Sequence, residues 1–173
     1  MDLLTHLFLP GLVVYALRRE LFDSPLALGL LPFGLLPDAD KFLGVPGLGH
    51  SLLTLVPVCG GILAVEYALR GRLDVAPVAV ALAGSHLLLD AVDGGPVPLL
   101  FPLVERGIGF TYPARTVFGV GPFDAFLTVE GPLVALRTVA PQPGHGAYGF
   151  LAGAGIAAAL AFWTVYVADR VRG

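Results

Sequence analysis

Six side chains in this sequence have the types and spacing to hold a divalent metal: His6, Asp38, Asp40, His50, His86 and Asp90. The stretch GSHLLLDAVDGG, residues 84–95, places His86, Asp90 and Asp93 at i, i+4 and i+7, which is one face of an α-helix at 3.6 residues per turn. Imidazole nitrogen and carboxylate oxygen suit zinc, with bonds of roughly 2.0–2.2 Å. In LPDAD, Asp38 and Asp40 stand two residues apart at a helix end, where a turn lets both approach one ion or bridge two. Six candidates exceed what one tetrahedral ion needs, so two divalent ions about 3.5–4 Å apart are expected. Such a pair activates water and stabilises a leaving oxygen, and the natural reaction is hydrolysis. His6, His50, His86 and Asp90 are then terminal ligands, and Asp38 or Asp40 bridges the metals or acts as general base.

Each candidate also has a plainer reading. A lone histidine in an apolar helix is ordinarily a hydrogen-bonded packing residue, and Asp38 and Asp40 could form a solvated turn ahead of Lys41. Asp93, before Gly94 and Gly95, reads as a helix-terminal turn residue. Asp2, one turn before His6, reads as a solvated chain-end residue, and His145 as a loop residue. Asp124 and Glu130 read as outer supports of the site or interfacial groups, with Asp124 preferred. Arg106 and Arg115 read as interfacial anchors, or as forks for a phosphate.

The elements that must carry these residues are apolar. The chain has 173 residues, 56% hydrophobic and 13% charged, with a mean hydropathy of +0.83, well above the balance of a soluble domain. A single integral membrane domain over residues 1–173 is expected. The positive residues are nine arginines and Lys41, in ones and twos, so there is no nucleic-acid footprint. The one cysteine, Cys59, excludes a disulfide framework and is given no role. In the N-terminal run, Arg18 and Arg19 follow the apolar residues instead of preceding them, which reads as a retained helix, not a signal peptide.

Apolar runs cover Leu3–Leu17, Ser51–Leu69, Val75–Val92 and Tyr148–Ala168, and a shorter one, residues 25–37, reads as a short span. Residues 94–122, rich in Pro and Gly, read as an ordered loop across the membrane surface. Residues 121–140 are helical in period and read as a possible sixth helix or an interfacial one. Arg18 and Arg19, Arg70 and Arg72, and Arg170 and Arg172 follow three of the runs, and the positive-inside rule puts those ends in the cytoplasm. The expected fold is therefore an all-α polytopic bundle of about five transmembrane helices, with the six ligands meeting at the extracytoplasmic face. Ionisable residues at membrane depth face a protein interior and have partners; these have partners of metal-binding chemistry.

The blocks LLTHLFLPG, GLLPDADKFLG, GHSLL and GSHLLLDAVDGGPVPLLFPL, in that order over about residues 3–103, resemble the YdjM-type family of LexA-binding, inner-membrane-associated proteins, predicted to be metal-dependent hydrolases. The resemblance implies that His6, Asp38, Asp40, His50, His86 and Asp90 match the family's His and Asp pattern, and that the GGPVPLLFPL loop walls the site. Two positions depart from it: Lys41 stands where His or another polar residue is usual, and Gly49 where Thr is common. The family is in turn distantly similar to the all-helical zinc phospholipase C and P1 nuclease group, which implies a phosphodiester or phospholipid substrate by analogy.

The expected function is thus a membrane-bound metal-dependent hydrolase acting on a phosphoester or lipid headgroup. The alternatives are a non-catalytic metal-binding or ion-transport protein, and a structural protein whose His–Asp pairs join helices. The expected partners are the bilayer and a membrane lipid or lipid-linked substrate, with no nucleic acid. The sequence assigns no oligomeric state.

Overall fold

The structure is a computed structural model that describes residues 2–93, 95–111, 114–118, 125–129, 132, 134–138 and 151–172. Asp124, Glu130 and His145, and the side chain of Arg115, lie outside the described residues.

The apolar runs fold as helices: α1 (Leu3–Leu17), α3 (Leu52–Arg70), α4 (Ala76–Val92) and α5 (Gly153–Arg172), with a one-turn α2 (Ala39–Phe42). Between α1 and α2 the chain forms two 3-10 helices, Arg19–Asp23 and Pro25–Asp38. Pro32 and Pro37 interrupt the α-helical hydrogen-bond ladder in the second. Its 14 residues reach about 28 Å at the 3-10 rise of ~2.0 Å per residue, whereas an α-helix of that length would reach only about 21 Å. The tighter winding therefore carries a short apolar segment nearly the thickness of a bilayer core, which is ~30 Å.

The polypeptide after α4 departs from the expected all-α fold. The expected loop at 94–122 contains strands β1 (Arg106–Phe110) and β2 (Ala114–Phe118), and the helix considered at 121–140 is instead β3 (Ala125–Val129) and β4 (Val134–Thr138). The helical period was read straight across Gly131 and Pro132, whereas the β-branched and aromatic runs on either side, AFLTV and VALRT, are strand-length pieces. The strands pair in nested antiparallel order, β1 with β4 from Arg106↔Thr138 to Phe110↔Val134, and β2 with β3 from Ala114↔Val129 to Phe118↔Ala125.

The two 3-10 helices, Arg19–Asp23 and Pro25–Asp38, run back along α1: Phe22 packs on Tyr15, Leu31 on Gly11, and Gly34 on the carbonyl of His6. That carbonyl receives no N–H from position 10, which is proline. α5 lies parallel to α1, with Gly155 against Asp2 at one end and the Tyr15 hydroxyl 2.8 Å from Asp169 at the other. Phe8, Tyr15, Phe22, Leu31, Phe162 and Tyr166 form the core between them. A second core, Leu55, Cys59, Ala83, Leu87 and Val97, joins α3 to α4.

One end of the bundle is tied by arginines. Arg19 pairs with Asp169 at 2.9 Å, and Arg170 donates to the carbonyls of Phe22 and Asp23. α3 ends at Gly71, whose left-handed φ of +67° lets the chain turn into α4. Val75 provides no side-chain cap for α4; Glu66 replaces it, its carboxylate accepting the N–H groups of Asp74, Val75 and Ala76.

Candidate metal centre

At the opposite end, four helices and a turn bring the sequence candidates together. α1 supplies His6, the end of the long 3-10 helix Asp38, α2 Asp40, the turn before α3 His50, and α4 both His86 and Asp90. His6, Asp38, Asp40, His50 and His86 are all buried, so the solvated-turn reading of Asp38 and Asp40 does not hold. Asp90 is the most open of the six, its side chain 21% exposed.

The Nε2 atoms converge. His6 Nε2 is 3.1 Å from Asp90 Oδ1, His50 Nε2 is 3.2 Å from Asp90 Oδ2 and 3.4 Å from Asp38 Oδ1, and His86 Nε2 is 3.4 Å from both Asp38 Oδ2 and Asp90 Oδ2. The rings of His6 and His86 lie 4.0 Å apart. Two overlapping sets result, His6–His86–Asp90 and Asp38–His50–His86, each with its donor atoms within 4.8 Å of one another. Although carboxylates stand this close, the buried Nε2 atoms of His6 and His86 have no hydrogen-bond partner of acceptable geometry among the described residues.

The Nδ1 atoms are held from behind. His86 Nδ1 lies 2.6 Å from the Gly34 carbonyl and His6 Nδ1 3.0 Å from the Asp2 carbonyl, so each ring donates there and leaves Nε2 as the acceptor. His50 Nδ1 lies 3.2 Å from Asp40 Oδ2, which also accepts the N–H groups of Gly47 and Gly49 at 2.8 and 2.9 Å. Asp40 thus stands behind His50 and belongs to neither donor set. Burial opposes a charge on His50, but the carboxylates of Asp38, Asp40 and Asp90 outweigh it and push its pKa up to about 11.

Two departures from the resemblance have local causes. Gly49 packs against the Pro37 carbonyl so closely that no Cβ fits. Lys41, the only lysine of the chain, pairs with Asp38 Oδ1. Asp2, expected to be solvated, is buried: it caps α1, accepting the N–H groups of Leu4 and Thr5 and the Thr5 hydroxyl. The D-x-x-T spacing at 2–5 is a helix-start signal that pointed to this role. Gly34, whose carbonyl holds His86, carried no sequence signal. Asp93 ends α4, as its turn reading expects, and Arg106 is exposed on β1. The loop after α4 borders the centre, since the Leu99 carbonyl accepts the Leu52 N–H and the Phe101 carbonyl the Ser51 hydroxyl, next to His50.

The donor set fits a divalent ion of the zinc type. A tetrahedron with bonds of about 2.0–2.1 Å has edges near 3.4 Å, and the N···O separations here run from 3.1 to 3.4 Å.

Apolar helices with arginines at one end and a buried His/Asp centre at the other make up a membrane-protein architecture. α3 and α5 are each long and apolar enough to cross a bilayer, and only 11% and 22% of their apolar windows are buried, unlike the core helices of a soluble domain. The chain belongs to the YdjM inner membrane protein family, whose pattern matches residues 1–171. No curated protein and no solved structure matches it.

Proposed function

We propose that the protein is a membrane-bound metal-dependent hydrolase of five spans, acting on a phosphoester of a lipid or lipid-linked headgroup. The observation that carries this reading is the arrangement of His6, His50 and His86: His6 presents Nε2 to Asp90, His50 and His86 present theirs to both Asp38 and Asp90, and each has Nδ1 engaged behind it. Asp38 and Asp90 complete the ligand set, and Asp40 positions His50. His86 belongs to both donor sets, and its single Nε2 lone pair serves one ion, so the expectation of two ions narrows to one well-formed position. A bound zinc would supply Lewis acidity and a water of pKa near 7. Asp90 is the ligand carboxylate most open to the outside, and Asp40 is buried behind His50. Lys41, beside Asp38, brings positive charge to an anionic substrate.

The transmembrane reading rests on direction. α1 and α5 are parallel, the long 3-10 helix opposes α1, and α3 and α4 form a hairpin, so five crossings put the arginine ends together on the cytoplasmic side and the ligands outside. The transport reading is weaker. The buried polar side chains among the described residues, Asp2, Thr5, His6, Asp38, Asp40, His50, Ser51 and His86, all lie at the ligand end, and no relay crosses the bundle.

The test is a panel of phospholipids and model phosphodiesters offered to the full chain in lipid, with zinc or manganese and a chelator control. Chelator-sensitive turnover that disappears in Asp38→Asn is expected. Metal-loaded protein that hydrolyses nothing in the panel would overturn the hydrolase reading.

A further inference from the structure

An apolar groove of about 470 Å³ lies between α1 and α4, with Leu9, Val13 and Leu17 on one wall and Leu82, Ser85 and Leu89 on the other. Its position follows from helix geometry. On α1, His6 heads the stripe that continues through Leu9, Pro10, Val13, Val14 and Leu17, spaced i, i+3, i+4, i+7, i+8 and i+11, so the ligand and the groove wall share one face. On α4 the groove residues end at Leu89, and Asp90 lies one residue further toward the ligand end, turned about 100° from it around the helix. The His6–Asp90 pair therefore joins the two helices at one end of the groove. Asp90 is also the only one of the six candidates more than 9% exposed, so approach to the cluster is over its carboxylate.

The length is informative. From His6 to Leu17 is 11 residues, about 16 Å along a helix at ~1.5 Å per residue. That is about half of the ~30 Å hydrocarbon core, the depth of one leaflet. A channel for a polar solute would be lined with polar groups, whereas Ser85 is the only polar side chain in this lining.

We infer that the α1–α4 groove takes one acyl chain of a lipid whose anionic headgroup reaches the His6–Asp90 end of the cluster. The inference rests on the hydrolase reading for the identity of the headgroup site. It assigns the chain to a defined groove of the protein, and not to the general lipid surface that α3 and α5 present.

The test uses the full-length, zinc-loaded protein in detergent micelles and a phosphatidic acid carrying a diazirine in its acyl chain, with adducts located by mass spectrometry after irradiation. Labelling of the groove residues is expected to exceed that of Leu53 and Val56, exposed at i and i+3 on one face of α3, by about tenfold, the ratio given by a preference of ~1.4 kcal/mol. Unlabelled phosphatidic acid should compete, phosphatidylcholine should compete less, and Ser85→Trp should shift adducts out of the groove. Even labelling of the groove and the α3 face, or equal competition by phosphatidylcholine, would overturn the inference. Failure of the hydrolase reading gives a different pattern, with groove adducts that are competed by phosphatidic acid but no chelator-sensitive turnover.

Discussion

Asp40 Oδ2 stands 3.2 Å from Nδ1 of His50 and receives two backbone N–H groups from Gly47 and Gly49, so this oxygen orients an imidazole. Carboxylates that hold a metal-ligating histidine typically contribute 10–100-fold to metal affinity without touching the ion. Asp40→Asn is accordingly expected to weaken zinc binding by about 10–100-fold while leaving about one ion per chain at saturation. His86→Ala with Asp90→Ala should remove the ion altogether. Chelator-competition titration with elemental analysis distinguishes the two, and an Asp40 variant that loses all zinc at saturation would make Asp40 a ligand.

Proton competition at His50 gives the pH dependence. Its pKa is raised from 6.5 to about 11 by the surrounding carboxylates, so a zinc ion binding through Nε2 must displace a proton anywhere below that value. Apparent zinc affinity should rise by about tenfold per pH unit between about pH 7 and 10, the slope for release of one proton. For the metal-free protein the sign is opposite. A histidine whose folded pKa is raised stabilises fully below its unfolded pKa, and that contribution fades as pH climbs toward 11. The melting temperature of metal-free protein should therefore fall across that window, and His50→Ala should flatten the profile.

Gly34 and Gly29 sit on the same 3-10 helix and give a matched pair. A Cβ at Gly34 would lie 2.5 Å from the His6 carbonyl, and one at Gly29 meets nothing within 4 Å. Since the Gly34 carbonyl also holds His86 Nδ1, Gly34→Ala should push the 3-10 helix off α1, cost about 1–3 kcal/mol as overpacking does, and weaken zinc binding. Gly29→Ala should leave both unchanged. Equal melting temperatures and zinc affinities for the two variants would show that the close approach at Gly34 carries no load.

The sequence revealed features that local spacing determines and hid those that depend on distant chain. α1 begins at Leu3 and ends at Leu17 because the apolar run does, and His86 and Asp90 share a face because they are four apart. The gathering of all six candidates at one end follows from the arginine pattern together with the spacings. The division of labour between Asp38 and Asp40 did not: in LPDAD the two look equivalent, and only the return of residues 47–50 onto Asp40 separates them. Glu66 likewise carries no signal in the sequence, since its partners 8 to 10 residues on lie across a turn. β1 and β2 lie where Pro and Gly content reads as a loop, and β3 and β4 where the period reads as one helix; neither reading contains the pairing between Arg106 and Thr138 that governs this segment.

The last prediction concerns which end of the bundle faces which compartment. α4 leaves the ligand end at Val92 and α5 returns at Gly153 beside Asp2, also at the ligand end, so in the proposed topology the intervening segment does not cross the bilayer. Leu103, which is 79% exposed, then belongs outside, and Ser24 and Asp74, at the arginine end, belong inside. On a Cys59→Ala background, a membrane-impermeant maleimide should label Leu103→Cys in intact cells and label Ser24→Cys and Asp74→Cys only after permeabilisation. Labelling of all three in intact cells would contradict the crossings assigned to the 3-10 helix and the α3–α4 hairpin. The reverse pattern would place the His/Asp centre on the cytoplasmic face, with its geometry intact and its lipid substrate drawn from the inner leaflet.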